Sequence, residues 1–527
     1  MTIPLETDPD LVSRFLEDAA HYPGGRAAGV LRPRNVAELS ACLAKAPHKG
    51  APYERILPIG AQSSLTGGAT PLGEVVLSTE RLTTLTIEPA HIRVGAGVTL
   101  EAVQRALAAA GRWFPPVPTY LGATVGGAIA TCAAGAATFK YGSVRPWVDG
   151  ITVVLAGGDV LQITREEVFA SPDATFEITT ASGIRTVRIP PIKMPAVEKH
   201  SAGYYCAPGM DLIDLFIGSE GTLGVIAEAV LRTAPERGPV VRALVQLSSE
   251  SEAMALVDHL RNNADGDYQS DNPFGLDVAA IEHMDARSLA VVREDGVDRK
   301  LNIAIRPDTA VMLLVEIELR QADRGRDLWP EFQDALNDDA PDTPVRRLCQ
   351  LLDEWEALDT TEIAMPSDEA RARAFAELRE AVPAGVNRRV ALAQQQIDPQ
   401  ISKTAADMIV PFDRFGEMMR TCRRLFAERG LDLAVWGHIS DGNVHPNVIP
   451  RSADEVRQGQ EAILALGDEV IRMGGCPLAE HGVGRSAIKQ QLLRQLYGAD
   501  GVEAMRAIKL SLDPDGLLAP GVIFPAQ

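Results

Sequence analysis

Short apolar runs, short helical patterns and glycine-rich loops make up the first half of the chain, and from Pro239 strands alternate with long amphipathic helical patterns. Residues 29–33, GVLRP, predict a strand, and residues 35–46 predict a helix with Val36, Leu39 and Leu43 on one face. Residues 56–59 and 75–78 predict two short strands on either side of the loop GAQSSLTGGATP. A strand at 92–96 and a helix at 100–110 follow, the helix stopping at Gly111. Beyond the small-residue tract GATVGGAIATCAAGAATFKYG, residues 150–156 predict another strand, ending in a Gly-Gly-Asp turn. The polar stretch 164–198 contains TFEITTASGIRTVRI, which alternates like an exposed hairpin around Ser182-Gly183 and predicts a surface insertion. From Pro239 onward, strands alternate with charge-rich amphipathic helices, for example 251–262 and 369–381. This pattern predicts an α+β protein whose domain boundary lies near Pro235 to Pro239.

At 527 residues the chain exceeds what a single core usually supports, so two or more domains are expected. Hydrophobic content of 46% and charged content of 23% are ordinary globular values. The net charge of −20 repels nucleic acid and anionic lipid surfaces, which argues against either as a partner. Neither a signal-peptide start nor an apolar run of about eighteen residues is present, which predicts a cytoplasmic protein with no integral membrane segment. The six cysteines include no C-x-x-C pair, against an iron-sulfur cluster, a zinc knuckle or a disulfide framework. Any metal must then be held by histidine and carboxylate.

Two segments carry that chemistry: LDLAVWGHISDGNVHPNVIP, and AEHGVGR further along. Asp441-Gly442 between apolar, β-branched runs predicts a two-residue hairpin turn. In that register Ser440 faces Asn443, Ile439 faces Val444, and His438 faces His445, with Cβ atoms roughly 4.5–5.5 Å apart. Both imidazoles could close on one divalent metal with Glu480 as the oxygen ligand, a two-His-one-carboxylate set with open positions for substrate. His481 is then available for acid-base work, and Asn443 can orient a hydroxyl or a ligand. The alternative is a pair of half-buried histidines bonded to backbone carbonyls, with Asn443 a plain turn residue. In the first half, Gly60, Gly67 and Gly68 with Ser63, Ser64 and Thr66 form a loop whose N–H groups suit a pyrophosphate. The tract around Gly126-Gly127 and Gly135 permits close backbone approach to a flat ligand, and GSEGTLG is a third glycine-rich segment, following the apolar run 212–217. Together these loops point to a large phosphate-bearing cofactor, although none is a G-x-G-x-x-G or Walker A motif.

The order PIGAQSSLTGGATP, GATVGGAIAT with KYG, GSEGTLGVI, GHISDGNVH, EHGVGR, LDPDGLLAPG resembles the FAD-linked 2-hydroxy-acid dehydrogenases, flavoproteins of the vanillyl-alcohol-oxidase type. That family includes D-lactate dehydrogenase, D-2-hydroxyglutarate dehydrogenase and the glycolate oxidase flavin subunit. The resemblance runs from about residue 29 to the end. It implies a two-part FAD-binding domain over 1–237 with the insertion at 164–198. It also implies an antiparallel-sheet cap over 238–474 carrying the histidine hairpin, and a C-terminal segment 475–527 that returns to the FAD domain. The family pattern places Pro58, Gly60, Ser63, Ser64, Gly67 and Gly68 at the FAD diphosphate, and Gly122, Ala123, Thr124, Gly127 and Ala128 along the cofactor. Glu220, Gly221, Gly224 and Ile226 fall near its adenine-ribose end, and His438, His445 and Glu480 on a divalent zinc, manganese or iron ion. His481 is implied as base, and Arg379 and Lys403 as the cations for a substrate carboxylate; by spacing alone these two are solvated surface charges.

The chain departs from the family at Gly60-Ala61-Gln62, where a run of glycines is usual, and at Cys132-Ala133-Ala134-Gly135, where Asn-Ala-Gly-Gly is usual. No residue stands where covalent flavin attachment demands one, with Cys132 near only by proximity, so the resemblance implies non-covalent FAD. The implied reaction oxidises a D-2-hydroxy acid to the 2-oxo acid and passes electrons to an external cytochrome, quinone, electron-transfer flavoprotein or oxygen. The family also allows a homodimer. Alternatives are a phenolic-alcohol oxidase on the same fold, a metal-dependent hydrolase, and a non-catalytic FAD-holding subunit.

Overall fold

The computed structural model describes residues 3–44, 54–116, 118–181, 183–262, 264 and 275–526. They form two compact units, one of Met1–Gly135, Gly142–Pro235 and Cys476–Gln527, the other of Ala136–Tyr141 and Glu236–Gly475.

Among the described residues, the first unit contains a three-stranded parallel sheet with Val75–Ser78 between Gly29–Leu31 and Ile56–Ile59. All four residues of the central strand are buried, as the unbroken apolar run of a parallel strand requires. The C-terminal segment rejoins this sheet, where Ile56 N–H donates to the Leu517 carbonyl at 2.9 Å. An antiparallel sheet of five described strands runs in the order Leu85–Ile87, His91–Gly95, Val225–Arg232, Val148–Val154, Val160–Thr164. Its edge strand Val160–Thr164 alternates exposed and buried positions, the mark of one solvated face.

Expected and observed elements of this unit differ mainly at their ends. The strands expected at 92–96 and 150–156 are His91–Gly95 and Val148–Val154. The helix expected at 100–110 is Leu100–Ala108, and Gly111 takes the left-handed φ of +67° that ends the turn. The helix expected at 35–46 is Val36–Leu43, capped by the Asn35 side chain on Glu38 N–H; residues 45–46 lie outside the described residues. Thr175–Thr180 pairs with Gly183–Arg188 as the expected hairpin, although Ser182 lies outside the described residues. That hairpin is not simply exposed. Its alternation puts Phe176, Ile178 and Val187 on one buried face, and Arg185 donates to the Leu512 carbonyl at 3.1 Å.

The second unit is built on an antiparallel sheet of eight described strands. Their order is Glu362–Ala364, Val240–Leu247, Val311–Glu318, Val278–Asp285, Leu433–His438, Asn443–Val448, Thr404–Ala405, with Met408–Ile409 also paired to Asn443–Val448. Every residue of Val278–Asp285 and Asn443–Val448 is buried, so both faces of the sheet centre are covered. The helix Glu369–Gln396 covers one face with Phe375, Leu378, Val382, Val386 and Val390, an unbroken stripe at helical spacing. It runs past the expected end at 381 and through Pro383. The missing N–H and ring clash of an interior proline cost about 3 kcal/mol, and the apolar stripe continuing to Val390 offsets that cost. Segment Ala136–Tyr141 belongs to this unit through Lys140, which donates to Asp277 at 2.6 Å and Glu318 at 2.8 Å.

Candidate functional site

Antiparallel pairing brings one polar row together on the face of the second sheet that the long helix covers. Across four strands the partners are Leu314, Glu282, His438 and Asn443, and the next row on that face is Met312, Met284, Trp436 and His445. The expected register of the histidine hairpin is therefore corrected by two residues: His438 faces Asn443, and His445 faces Trp436. The cause lies in the turn. Ile439–Asp441 form a short 3-10 turn closed by Gly442 at φ +81°, so four residues connect the strands instead of two. Asp441 Oδ1 accepts from Asn443 N–H at 3.2 Å, and Ser440 Oγ accepts from Ile281 N–H at 3.2 Å, fixing the longer loop to the neighbouring strand. A slip of two keeps both imidazoles on one face, whereas a slip of one would have parted them. Their ring centroids lie 5.6 Å apart at an interplanar angle of 86°.

Both imidazoles have a carboxylate near Nδ1, and His438 is hydrogen-bonded to its own. His438 Nδ1 donates to Glu282, its cross-strand neighbour, whose other oxygen accepts from Arg379 Nε at 2.6 Å. His445 Nδ1 lies 3.4 Å from Asp407, which also accepts from Asn443 Nδ2 at 3.1 Å. The Glu282 carboxylate on His438 Nδ1 fixes the tautomer and orientation of that ring and presents its Nε2 as the coordinating nitrogen, the usual support of metal-ligating histidine. Burial opposes the charged form of Glu282, yet Arg379 and His438 more than offset it and hold its pKa down to about 2. Asn443 is fully buried, and its Oδ1 has no protein donor among the described residues. A buried oxygen without a donor beside two buried imidazoles fits a cation or a substrate hydroxyl. Of the two expected carboxylate-binding cations, Arg379 is held inward by Glu282, while Lys403 is exposed.

In the first unit three glycine-bearing segments meet. The carboxylate of Glu220 accepts from Val483 N–H at 2.8 Å and Gly484 N–H at 2.9 Å. Burial pushes its pKa up to about 7, against the pull of those two donors. Gly484, at φ +57°, lies so close to Thr66 that a Cβ there would sit 2.1 Å from the Thr66 hydroxyl. Arg485 N–H donates to the Thr66 carbonyl at 2.9 Å, and its guanidinium to Glu74 at 3.0 Å. These contacts join EHGVGR and GSEG to the loop after Ile56–Ile59. A Cβ on Gly60 would meet the Thr124 hydroxyl at 2.3 Å, one on Gly68 would meet Ser64 at 3.4 Å, and one on Gly221 would meet Pro58 at 3.4 Å. Gly127 donates to Thr124, the N-cap of the helix Val125–Ala130 that also holds Ala128. Gly224 and Ile226 instead lie against Val153, at the start of Val225–Arg232. Gly122 and Ala123 precede the Thr124 cap, a Cβ on Gly122 meeting the Tyr120 ring at 2.4 Å.

Among the described residues, no protein acceptor takes the backbone N–H groups of Ala61, Gln62 and Ser63. Consecutive unfilled donors beside Ser64 fit a cofactor diphosphate. Both departures from the family pattern fall on left-handed backbone, Gln62 at φ +55° and Cys132 at φ +50°. Holding such residues there costs about 1–2 kcal/mol each. The metal and base residues expected from this unit, Glu480 and His481, sit at the start of the EHGVGR turn. Glu480 forms a buried ion pair with Lys199.

Residues 27–164 match the family model of an FAD binding domain, and residues 272–523 match that of the C-terminal domain of FAD linked oxidases. The chain belongs to the FAD-linked oxidase family. Relatives of this FAD-linked oxidase include a D-lactate dehydrogenase of Archaeoglobus fulgidus, 28% identical over 94% of this chain and 90% of that protein. A glycolate oxidase subunit GlcD of Bacillus subtilis is 25% identical over 94% of this chain and 88% of its own length. A D-2-hydroxyglutarate dehydrogenase of Xanthomonas citri is 27% identical over 99% of this chain and 94% of its own length. Among the described residues, no helix of the FAD-linked oxidase is long and apolar enough to cross a membrane.

Glu282, Asp407 and Lys199 were not anticipated from the sequence. A signal existed for the first two. Each is a carboxylate inside an apolar run, AAIEHMD and AADMIVP, where burial demands a partner. Lys199 directly follows the stretch read as a surface insertion and is buried; no local pattern marks it.

Proposed function

We propose that this FAD-linked oxidoreductase is a dehydrogenase of D-2-hydroxy acids that works with a divalent metal at the His438–His445 hairpin. The observation that carries the proposal is the buried pair of imidazoles on one face, one with Nδ1 bonded to the Glu282 carboxylate and the other with Nδ1 3.4 Å from Asp407. Relatives that align with nearly the whole chain, among them a D-lactate dehydrogenase and a D-2-hydroxyglutarate dehydrogenase, support it. When bound, FAD supplies the acceptor for two electrons and the Cα hydrogen, and the metal supplies a Lewis acid for the hydroxyl oxygen.

The proposed metal ligands are the imidazoles of His438 and His445, with Glu480 added from the sequence pattern. His481, next in the chain, takes the hydroxyl proton on a ring nitrogen, a role suited to a group whose ordinary pKa lies near neutrality. Arg379 and Lys403 hold the substrate carboxylate in this assignment, and Asn443 Oδ1 accepts from the hydroxyl before the proton leaves. Pro58, Gly60, Ser63, Ser64, Gly67 and Gly68 would hold the diphosphate of a non-covalent FAD, Gly122, Ala123, Thr124, Gly127 and Ala128 would line the cofactor, and Glu220, Gly221, Gly224 and Ile226 would stand toward its adenine-ribose end. The FAD domain is assigned to 1–237 with 475–527, and the cap to 238–474. An external carrier or oxygen takes the electrons onward.

His481→Ala tests the base. The variant is expected to purify yellow and to stay yellow when a reactive D-2-hydroxy acid is added without oxygen, while the parent protein bleaches. Bleaching of the variant at the parent rate would remove His481 from the mechanism.

A further inference from the structure

We propose that Glu282, braced by Arg379, is a positioning residue that aims Nε2 of His438 at the metal; the inference rests on the metal reading above. Four observations within the second unit carry it. Glu282 stands directly across the sheet from His438, so the pairing places the carboxylate beside the ring without help from a flexible loop. One Glu282 oxygen accepts from His438 Nδ1, and the other accepts from Arg379 Nε at 2.6 Å, so both oxygens are engaged and the carboxylate has a single orientation. The chain is dry: His438 is 3% exposed, Glu282 5%, and the Arg379 side chain 11%. Arg379 projects from Glu369–Gln396, the helix whose apolar stripe packs on this sheet, so the brace is tied to the core of the unit.

With Nδ1–H committed to Glu282, the ring presents to the metal the tautomer whose Nε2 carries the lone pair. A carboxylate on Nδ1 also raises the electron density of the ring and strengthens Nε2 as a ligand. Without Glu282, the ring could turn about its bond to Cβ or shift its proton to Nε2, and either change removes the ligand. Arg379 enters through Glu282: it fills the second oxygen and keeps the carboxylate from rotating away. This gives Arg379 a different duty from binding the substrate carboxylate, and the two duties predict different measurements. A brace on a ligand changes metal affinity, whereas a substrate contact changes KM and leaves the metal alone.

The experiment titrates the FAD-loaded protein, stripped of metal, with zinc ion alone, and reads the dissociation constant by calorimetry without substrate. Glu282→Gln, Glu282→Leu and Arg379→Met are compared with the parent, with flavin content and near-ultraviolet circular dichroism confirming the fold. Glu282→Leu is expected to weaken zinc binding by about 10–100-fold, the range for lost carboxylate support of a histidine ligand. Glu282→Gln, whose amide oxygen can still accept from Nδ1, is expected to lose less, and Arg379→Met is expected to weaken zinc binding as well. Should Glu282→Leu fail to fold, the other two variants decide. Parental zinc affinity in folded Glu282 variants overturns the inference and leaves the metal reading standing. Parental affinity in Arg379→Met with a raised KM overturns the brace and returns Arg379 to the substrate. A parent protein that takes up no zinc overturns the metal reading itself, and the inference falls with it.

Discussion

Replacing Gly442 by alanine is expected to loosen the turn that sets His438 against Asn443. Gly442 holds φ at +81°, and a Cβ there would sit 2.2 Å from the carbonyl oxygen of Val410. The left-handed backbone alone costs a non-glycine residue about 1–2 kcal/mol. A backbone carbonyl at that distance cannot swing aside like a side-chain tip, and relieving such overpacking typically costs a further 1–3 kcal/mol or so. Val410 N–H also donates to the Gly442 carbonyl at 3.2 Å, so moving one strains the other. The sum is about 2–5 kcal/mol. Gly430 provides the control, because at φ +66° a Cβ there meets nothing within 4 Å and alanine carries only the backbone cost. With a urea slope of about 3 kcal/mol/M for a large unit, Gly442→Ala should lower the unfolding midpoint by roughly 1 M and Gly430→Ala by under half as much. Tryptophan fluorescence is a suitable probe because Trp436 lies on the strand leading into the turn. Zinc affinity should fall in Gly442→Ala and hold in Gly430→Ala. Equal midpoints for the two variants would refute the argument that the turn is clamped against Val410.

Other perturbations have equally definite outcomes. Burial first, and Arg423 second, press the pKa of His283 down from 6.5 to about 3, so the folded state refuses a proton that the unfolded chain accepts. Its contribution is whole above pH 6.5 and is lost as pH falls from 6.5 toward 3, at about 1.4 kcal/mol per pH unit. His283→Leu should flatten that acid limb in urea titrations from neutral pH downward, and an unchanged slope would contradict the assignment. Lys199→Met removes the buried cation paired with Glu480 and should destabilise the protein by about 3–5 kcal/mol, the cost of leaving one partner of such a pair behind. Calorimetry giving a loss of only a few tenths would mean that the pair contributes little.

Local pattern made several elements legible and left the site half-read. Ile56–Ile59 and Val75–Ser78 are continuous apolar runs flanked by turn residues, and such strands declare themselves. The far end of Glu369–Gln396 did not, because the tertiary contacts of Val386 and Val390 outweigh Pro383. In the hairpin, the residue types pointed to two imidazoles on one face, but Asp441-Gly442 pointed to a two-residue turn. The loop length is decided by Ser440 binding Ile281 on a strand about 160 residues away, a contact that local sequence cannot encode. Glu282 illustrates the same limit: its partnership with His438 arises from strand order. The convergence of Glu220, Thr66 and EHGVGR also depends on a return of the chain that no short motif specifies.

Stopped-flow absorbance of the flavin tests the central claim most directly. The FAD-loaded protein is mixed without oxygen with D-lactate, L-lactate, D-2-hydroxyglutarate or glycolate, before and after divalent metal is stripped. Rapid bleaching by at least one of the 2-hydroxy acids is expected, with no bleaching by the L-enantiomer, and with loss of the reaction on stripping while the yellow colour is retained and activity is restored by added metal. A flavin that ignores every 2-hydroxy acid, or bleaches at the same rate in stripped protein, would contradict it.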